Sequence, residues 1–131
     1  MKLFLDDVRQ PENCVGYMYT RIGKLNPIYL EEWKIVRDFR EFCQFIESYY
    51  DKITHVSFDH DLADEHYDPS MFADDDYRYE EISNSFKERT GYDCAKWMIE
   101  FFKEKNHPLP QFIFIHSMNP IGREKIKNLF K

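Results

Sequence analysis

Cysteine is scarce in this 131-residue chain: Cys14, Cys43 and Cys94 are an odd number at wide spacings that match no zinc pattern. That excludes a disulfide framework and a structural zinc site, and predicts free thiols in a reducing, cytoplasmic compartment. No apolar run approaches the ~20 residues of a membrane span, and no signal peptide opens the chain. Positive charge is also in short supply. Lys and Arg number 18 against 24 Asp and Glu, for a net charge of −6. A broad basic face that holds nucleic acid is therefore not expected, although a small phosphorylated ligand needs only a few local donors or a metal. There is no internal repeat and no low-complexity tract, which removes the fibrous classes. What the chain has in quantity is rings, with Phe 12, Tyr 9 and Trp 2. So many aromatics can bury a large apolar area in one small domain, expected to span residues 1–131.

Four short apolar runs alternate with amphipathic segments. Lys2 to Leu5, Trp33 to Val36, His55 to Phe58 and Phe112 to Ile115 read as buried strands. Asp38 opens a helix with Glu41 three residues on, an acidic version of the capping box, and Phe39, Phe42, Cys43, Ile46 and Tyr49 follow on one face. Thr90 with Asp93 caps a second helix, and Asn119 with Pro120 at the first helical position opens a third. Val8 to Leu30 holds two prolines, two glycines and no steady period, and reads as a long loop with a short hairpin around Tyr17 to Ile22. An acidic insertion at 63–89 includes Asp74-Asp75-Asp76, has no EF-hand pattern, and reads as a solvated lid whose tyrosines could fold over a base or sugar. Strands alternating with helices predict an α/β fold with a short, mainly parallel sheet flanked by helices as a three-layer sandwich.

In such a sheet, ligands bind outside the carboxyl ends of the strands. Those ends carry Asp6-Asp7, Asp59-His60-Asp61 and His116-Ser117-Met118-Asn119, whereas the strand interiors are nearly all apolar. One Asp after a strand commonly caps a turn. Paired acids after two separate strands repel each other, and a divalent cation relieves that repulsion. Asp6, Asp7, Asp59 and Asp61 are the candidate ligands, for Mg²⁺ or Mn²⁺ ahead of Zn²⁺. His60 and His116 end neighbouring strands and are candidates for base and acid roles. Ser117, Asn119 and Arg123, at the start of the last helix, together with Arg9 are the candidate phosphate donors.

Leu5-Asp6-Asp7 and Asp59 resemble the acidic pocket of response-regulator receiver domains, in which paired acids bind Mg²⁺ and the third-strand Asp accepts phosphate. The chain departs from ordinary receivers in placing His116-Ser117 after the fourth strand, and a fifth strand is not expected. Leu-Phe-Leu-Asp-Asp-Val-Arg-Gln-Pro (Leu3 to Pro11), Ser-Phe-Asp-His-Asp-Leu (Ser57 to Leu62), Thr-Gly-Tyr-Asp-Cys-Ala-Lys-Trp (Thr90 to Trp97) and His-Ser-Met-Asn-Pro-Ile-Gly-Arg (His116 to Arg123) are similar to motifs of the cyclic-phosphate-processing receiver family. The resemblance implies a hydrolase of cyclic phosphates on a nucleotide, an RNA end or an ADP-ribose-type product. Activated water and a covalent aspartyl-phosphate on Asp59 are both open as routes. A non-catalytic module that binds a phosphorylated nucleotide or a protein partner is the competing reading. An uncovered sheet edge would make a homodimer plausible.

Overall fold

The computed structural model describes residues 1–18, 27–63 and 88–131. Strands β1 (Lys2–Leu5), β2 (Lys34–Val36), β3 (His55–Phe58) and β4 (Phe112–Ile115) fall where the apolar runs predict them. All pairings are parallel, in the order β2-β1-β3-β4. This is the receiver-like order with β1 central and the strand sequence reversing beside it. Among the described residues there is no fifth strand, and β4 forms one edge.

Helices α1 (Phe39–Tyr49), α2 (Gly91–Glu104) and α3 (Pro120–Leu129) begin at the expected caps. The Asp38 carboxylate accepts from the Glu41 N–H at 2.8 Å, but the Glu41 side chain reaches one residue further back and accepts from the Arg37 N–H at 3.0 Å. Thr90 and Asp93 form the full reciprocal box on α2. Removing the α1 cap with Asp38→Ala leaves the Glu41 N–H without that acceptor and should cost about 1 kcal/mol. Thermal denaturation should show a fall of about 3–5 °C at this chain length; no change would mean that water replaces the cap fully.

The pleat sends alternate residues to opposite faces. Leu3, Leu5, Val56 and Phe58 face the three helices and bury against Phe42 and Ile46 of α1, Met98 and Phe102 of α2, and Ile126 of α3. Full burial of such side chains is worth about 1.5–3 kcal/mol each. Phe4 points the other way, into a cluster with Cys14, Tyr29 and Trp33. The second face is covered, among the described residues, by two 3₁₀ turns at Pro11–Cys14 and Pro27–Leu30. The segment between β1 and β2 has no helical period and begins each turn with a proline, so it packs rings across the sheet without forming a long helix. Tyr29 stacks on Trp33 with ring centroids 5.6 Å apart.

All three cysteines are free, and burial pushes the Cys14 thiol up to about 11, so it is an inert apolar filler. Tyr17 and Met18 belong to a turn in which the Met18 N–H donates to the Cys14 carbonyl at 2.8 Å. The rest of the expected hairpin, and the acidic insertion apart from Ala63, Glu88 and Arg89, lie outside the described residues. Among the described residues no helix is long and apolar enough to cross a membrane.

Candidate active site

The sheet register sets three strand exits side by side. Leu5 pairs with Phe58, and Phe58 with Ile115, so the next residues along each strand are Asp6, Asp59 and His116. The ladder continues through them. The Asp59 N–H donates to the Leu5 carbonyl and the His116 N–H to the Phe58 carbonyl, each at 2.9 Å. By strand parity they share the side of Phe4 and Phe114, under the 3₁₀ turns and away from the helices. All three are buried, and one ligand atom from each lies within 4.8 Å of the others.

Asp6 is the most heavily bonded of the set. Its Oδ1 accepts the Val8 and Arg9 N–H groups at 3.0 and 2.8 Å, which folds the chain after β1 into a tight turn. Its Oδ2 meets His116 Nε2 at 3.0 Å. Burial pushes the Asp6 carboxyl up, but the hydrogen bonds from His116, Arg9 and Val8 more than offset it and hold the group at about 2. Asp59 has fewer donors, chiefly the His60 N–H on Oδ1 at 2.8 Å. Its burial, together with the charge on Asp6, raises it to about 8. One carboxyl of the pair is therefore ionised and the other held protonated near neutrality. The Arg9 guanidinium lies between them, with Nη1 at 3.4 Å from Asp6 Oδ2 and 3.9 Å from Asp59 Oδ1. Arg37 in turn anchors that turn by donating to the Asp6 and Arg9 carbonyls at 3.0 and 2.6 Å. Asp7 is only half-buried, raised by burial and by the Asp6 charge, and its Oδ1 is buried with no hydrogen-bond partner.

His60 sits elsewhere. One residue past Asp59, it turns to the helix side of the sheet, where Nδ1 meets Asp61 Oδ1 at 2.7 Å. Asn119 Nδ2 donates to the same Asp61 oxygen at 3.2 Å, and Asn119 Oδ1 accepts the Gly122 N–H at 2.9 Å. A Cβ on Gly122 would stand 2.4 Å from His60 Cγ, so α3 can settle on the imidazole only because residue 122 is glycine. Ser117 Oγ accepts the Asn119 N–H at 3.1 Å, which commits both side chains to opening α3. Arg123 is exposed on the first turn of that helix.

The predicted site residues thus divide into two groups. Asp6, Asp59, His116 and Arg9 come together. His60, Asp61, Ser117 and Asn119 form a separate buried cluster that joins the exit of β3 to α3. Pleat parity separates His60 from Asp59, and counting that parity along Ser57-Phe58-Asp59-His60 would have placed it. Two polar residues beside His116 were missed, Ser57 and Tyr29. The available signal was a lone hydroxyl inside the otherwise apolar run Val56-Ser57-Phe58.

The profile of the cyclic-phosphate processing receiver domain matches residues 1–131. The chain belongs to that family. No curated protein and no solved structure matches it. Membership agrees with the receiver-like strand order.

Proposed function

We propose that this cyclic-phosphate-processing receiver domain is a metal-dependent phosphoesterase, with a divalent cation held by the Asp6–Asp59 pair and Asp7 beside it. The observation that supports the reading is two buried carboxylates within 4.8 Å, one of them raised to about 8 by its burial and by the charge on the other. The buried, unpartnered Asp7 Oδ1 is a further acceptor suited to a hard cation or a water on it. Bound there, Mg²⁺ or Mn²⁺ would supply charge against the phosphoryl oxygens and acidify a coordinated water.

The residues of the chain do the rest. Arg9 offers a guanidinium fork beside the acids, and Arg123 a second cation at the start of α3; these are the donors we assign to phosphate. His116 keeps Asp6 ionised and fixed. His60 and Asp61 set the angle between β3 and α3, a scaffold duty in place of acid or base work. In the net reaction water adds to phosphorus, one ring P–O bond breaks, and the departing oxygen takes a proton to become a hydroxyl, leaving a phosphomonoester. Asp59 would either ligate the cation or attack phosphorus itself and be regenerated by hydrolysis, with the same balance.

A binding module is the second reading. It is favoured by the covering of the acids, since Asp6 and Asp59 are 0% and 3% exposed and Arg9 lies against both. Phosphorus NMR of a nucleoside 2′,3′-cyclic phosphate incubated with the protein separates the two. With Mg²⁺, which is diamagnetic, the cyclic resonance should be replaced by a monoester resonance, and a chelator should stop the change. A cyclic resonance that broadens on binding but never converts would favour the module and overturn hydrolysis.

A further inference from the structure

Behind His116 runs a chain of hydrogen bonds that the proposed reaction does not use. Tyr29 Oη is 2.8 Å from Ser57 Oγ, and Ser57 Oγ is 2.7 Å from His116 Nδ1. On the far side of the imidazole, Nε2 is 3.0 Å from Asp6 Oδ2. Tyr29, Ser57, His116 and Asp6 are at most 2% exposed each. The imidazole lies flat on Phe4, ring centroids 4.3 Å apart and planes 7° from parallel. The Tyr29 ring is packed against Phe4, Trp33, Phe114 and His116.

Hydroxyl bookkeeping gives this chain one direction. Ser57 Oγ is the hydrogen-bond partner of the Tyr29 hydroxyl, so Tyr29 must donate to it or bury an O–H unsatisfied, at a cost of about 1–3 kcal/mol. Ser57 then accepts from Tyr29 and has one proton to give, which goes to His116 Nδ1. Nδ1 must be a bare acceptor, and the ring proton is on Nε2, aimed at the Asp6 carboxylate. Protonating Nδ1 instead would turn Ser57 round and strand the Tyr29 proton among aromatic rings.

We infer that Tyr29 and Ser57 are positioning residues that lock His116 as its Nε2–H tautomer, so that it serves the site as a hydrogen-bond donor to Asp6 and not as a metal ligand. The cation is then met by oxygen atoms alone, a donor set suited to Mg²⁺ or Mn²⁺, and Asp6 is presented to it in one orientation. The tautomer rests on the hydrogen bonds themselves. Only the consequence for the cation rests on the proposed function.

The test is the ring ¹⁵N spectrum of His116 at pH 8 in the metal-free protein and after Mg²⁺ addition. Wild type should show a protonated Nε2 and an unprotonated, hydrogen-bonded Nδ1. Ser57→Ala should move the Nδ1 resonance downfield towards that of a free imine nitrogen. Ser57→Thr, which keeps the hydroxyl, should restore it, and Tyr29→Phe should give a smaller shift in the same direction. A merely structural Ser57 would not produce a hydroxyl-dependent shift at Nδ1. With Mg²⁺, Nε2 should keep its proton. A protonated Nδ1 in wild type, an Nδ1 resonance unmoved by Ser57→Ala, or loss of the Nε2 proton to Mg²⁺ would each overturn the inference. If Mg²⁺ changes nothing at His116 or Asp6, the cation site fails while the metal-free spectrum still decides the tautomer.

Discussion

Replacing Asp59 by Asn should raise the melting temperature of the metal-free protein at pH 8 by on the order of 10 °C. The reason is the burial of two like charges. The folded protein raises Asp59 from the ordinary 3.8 to about 8, so the folded state holds a proton that the unfolded chain releases across that interval. Below pH 4 both states are protonated there and the group costs nothing. As pH rises from 4 towards 8 the unfolded chain gains free energy by releasing this proton while the folded state must keep it, and stability falls. At about 1.4 kcal/mol per unit, a shift from 3.8 to about 8 sets a ceiling near ~6 kcal/mol. Asn also gives up the attraction to Arg9, which leaves an expected gain on the order of 3 kcal/mol. Asn can still accept the His60 N–H that Asp59 Oδ1 accepts now. The check is thermal unfolding from pH 4 to 8 with chelator present. The two proteins should converge at low pH and separate as pH rises. Parallel curves would mean that Asp59 is already neutralised by the fold. Asp6 runs the opposite way: held at about 2, it contributes stability above pH 4 that is lost as pH falls through 2.

The second large effect is structural. Gly91→Ala should destabilise the protein by about 3 kcal/mol or more, which thermal or urea unfolding will register as a loss of 10 °C or an unfolded chain. A Cβ at residue 91 would lie 1.7 Å from the carbonyl oxygen of Asp59 and 2.7 Å from its carbonyl carbon. Neither atom belongs to a side chain that could rotate away. The Gly91 N–H also donates to the His60 carbonyl at 2.8 Å, so the first turn of α2 is bonded to the backbone that carries Asp59. Relieving the overlap would require α2 to withdraw from β3. The same displacement would drag Asp59 from Asp6, so any folded fraction should also bind a cation more weakly. An Ala variant of wild-type stability would show that α2 does not seat where the structure puts it.

Much of this arrangement can be read from the residues. Apolar runs of four ending abruptly in Asp6, Asp59 and His116 announce parallel strands with a polar edge, and Asp38, Thr90 and Asn119 mark the helix starts as found. What failed was resolution within that edge. Asp59-His60-Asp61 reads as one acidic triplet, but the pleat sends Asp59 to one side and His60 to the other, where the missing side chain of Gly122 makes room for it. Asp61 is drawn after His60 by their hydrogen bond. Ser117 and Asn119, expected on a ligand, also open α3, where Ser117 Oγ accepts the Asn119 N–H and Asn119 Oδ1 the Gly122 N–H. The cover of the second face was illegible for another reason. Tyr29 and Trp33 sit in an aperiodic, proline-bearing segment, and only long-range packing on Phe4 and Phe114 reveals them as core. The Tyr29–Ser57–His116 chain joins residues 28 and 59 positions apart, beyond any local pattern.

Direct titration of metal-free protein with Mn²⁺ at pH 8, read by paramagnetic resonance of the free ion, tests whether Asp6 and Asp59 form a cation site. Wild type should take up one ion per chain in a saturable step. Affinity should weaken as pH falls below about 8, because the proton on Asp59 must leave first. Asp59→Asn should lose the step despite being the more stable protein. Wild type that leaves all Mn²⁺ free, or an Asn variant that binds it as tightly, would rule out a cation at the Asp6–Asp59 pair.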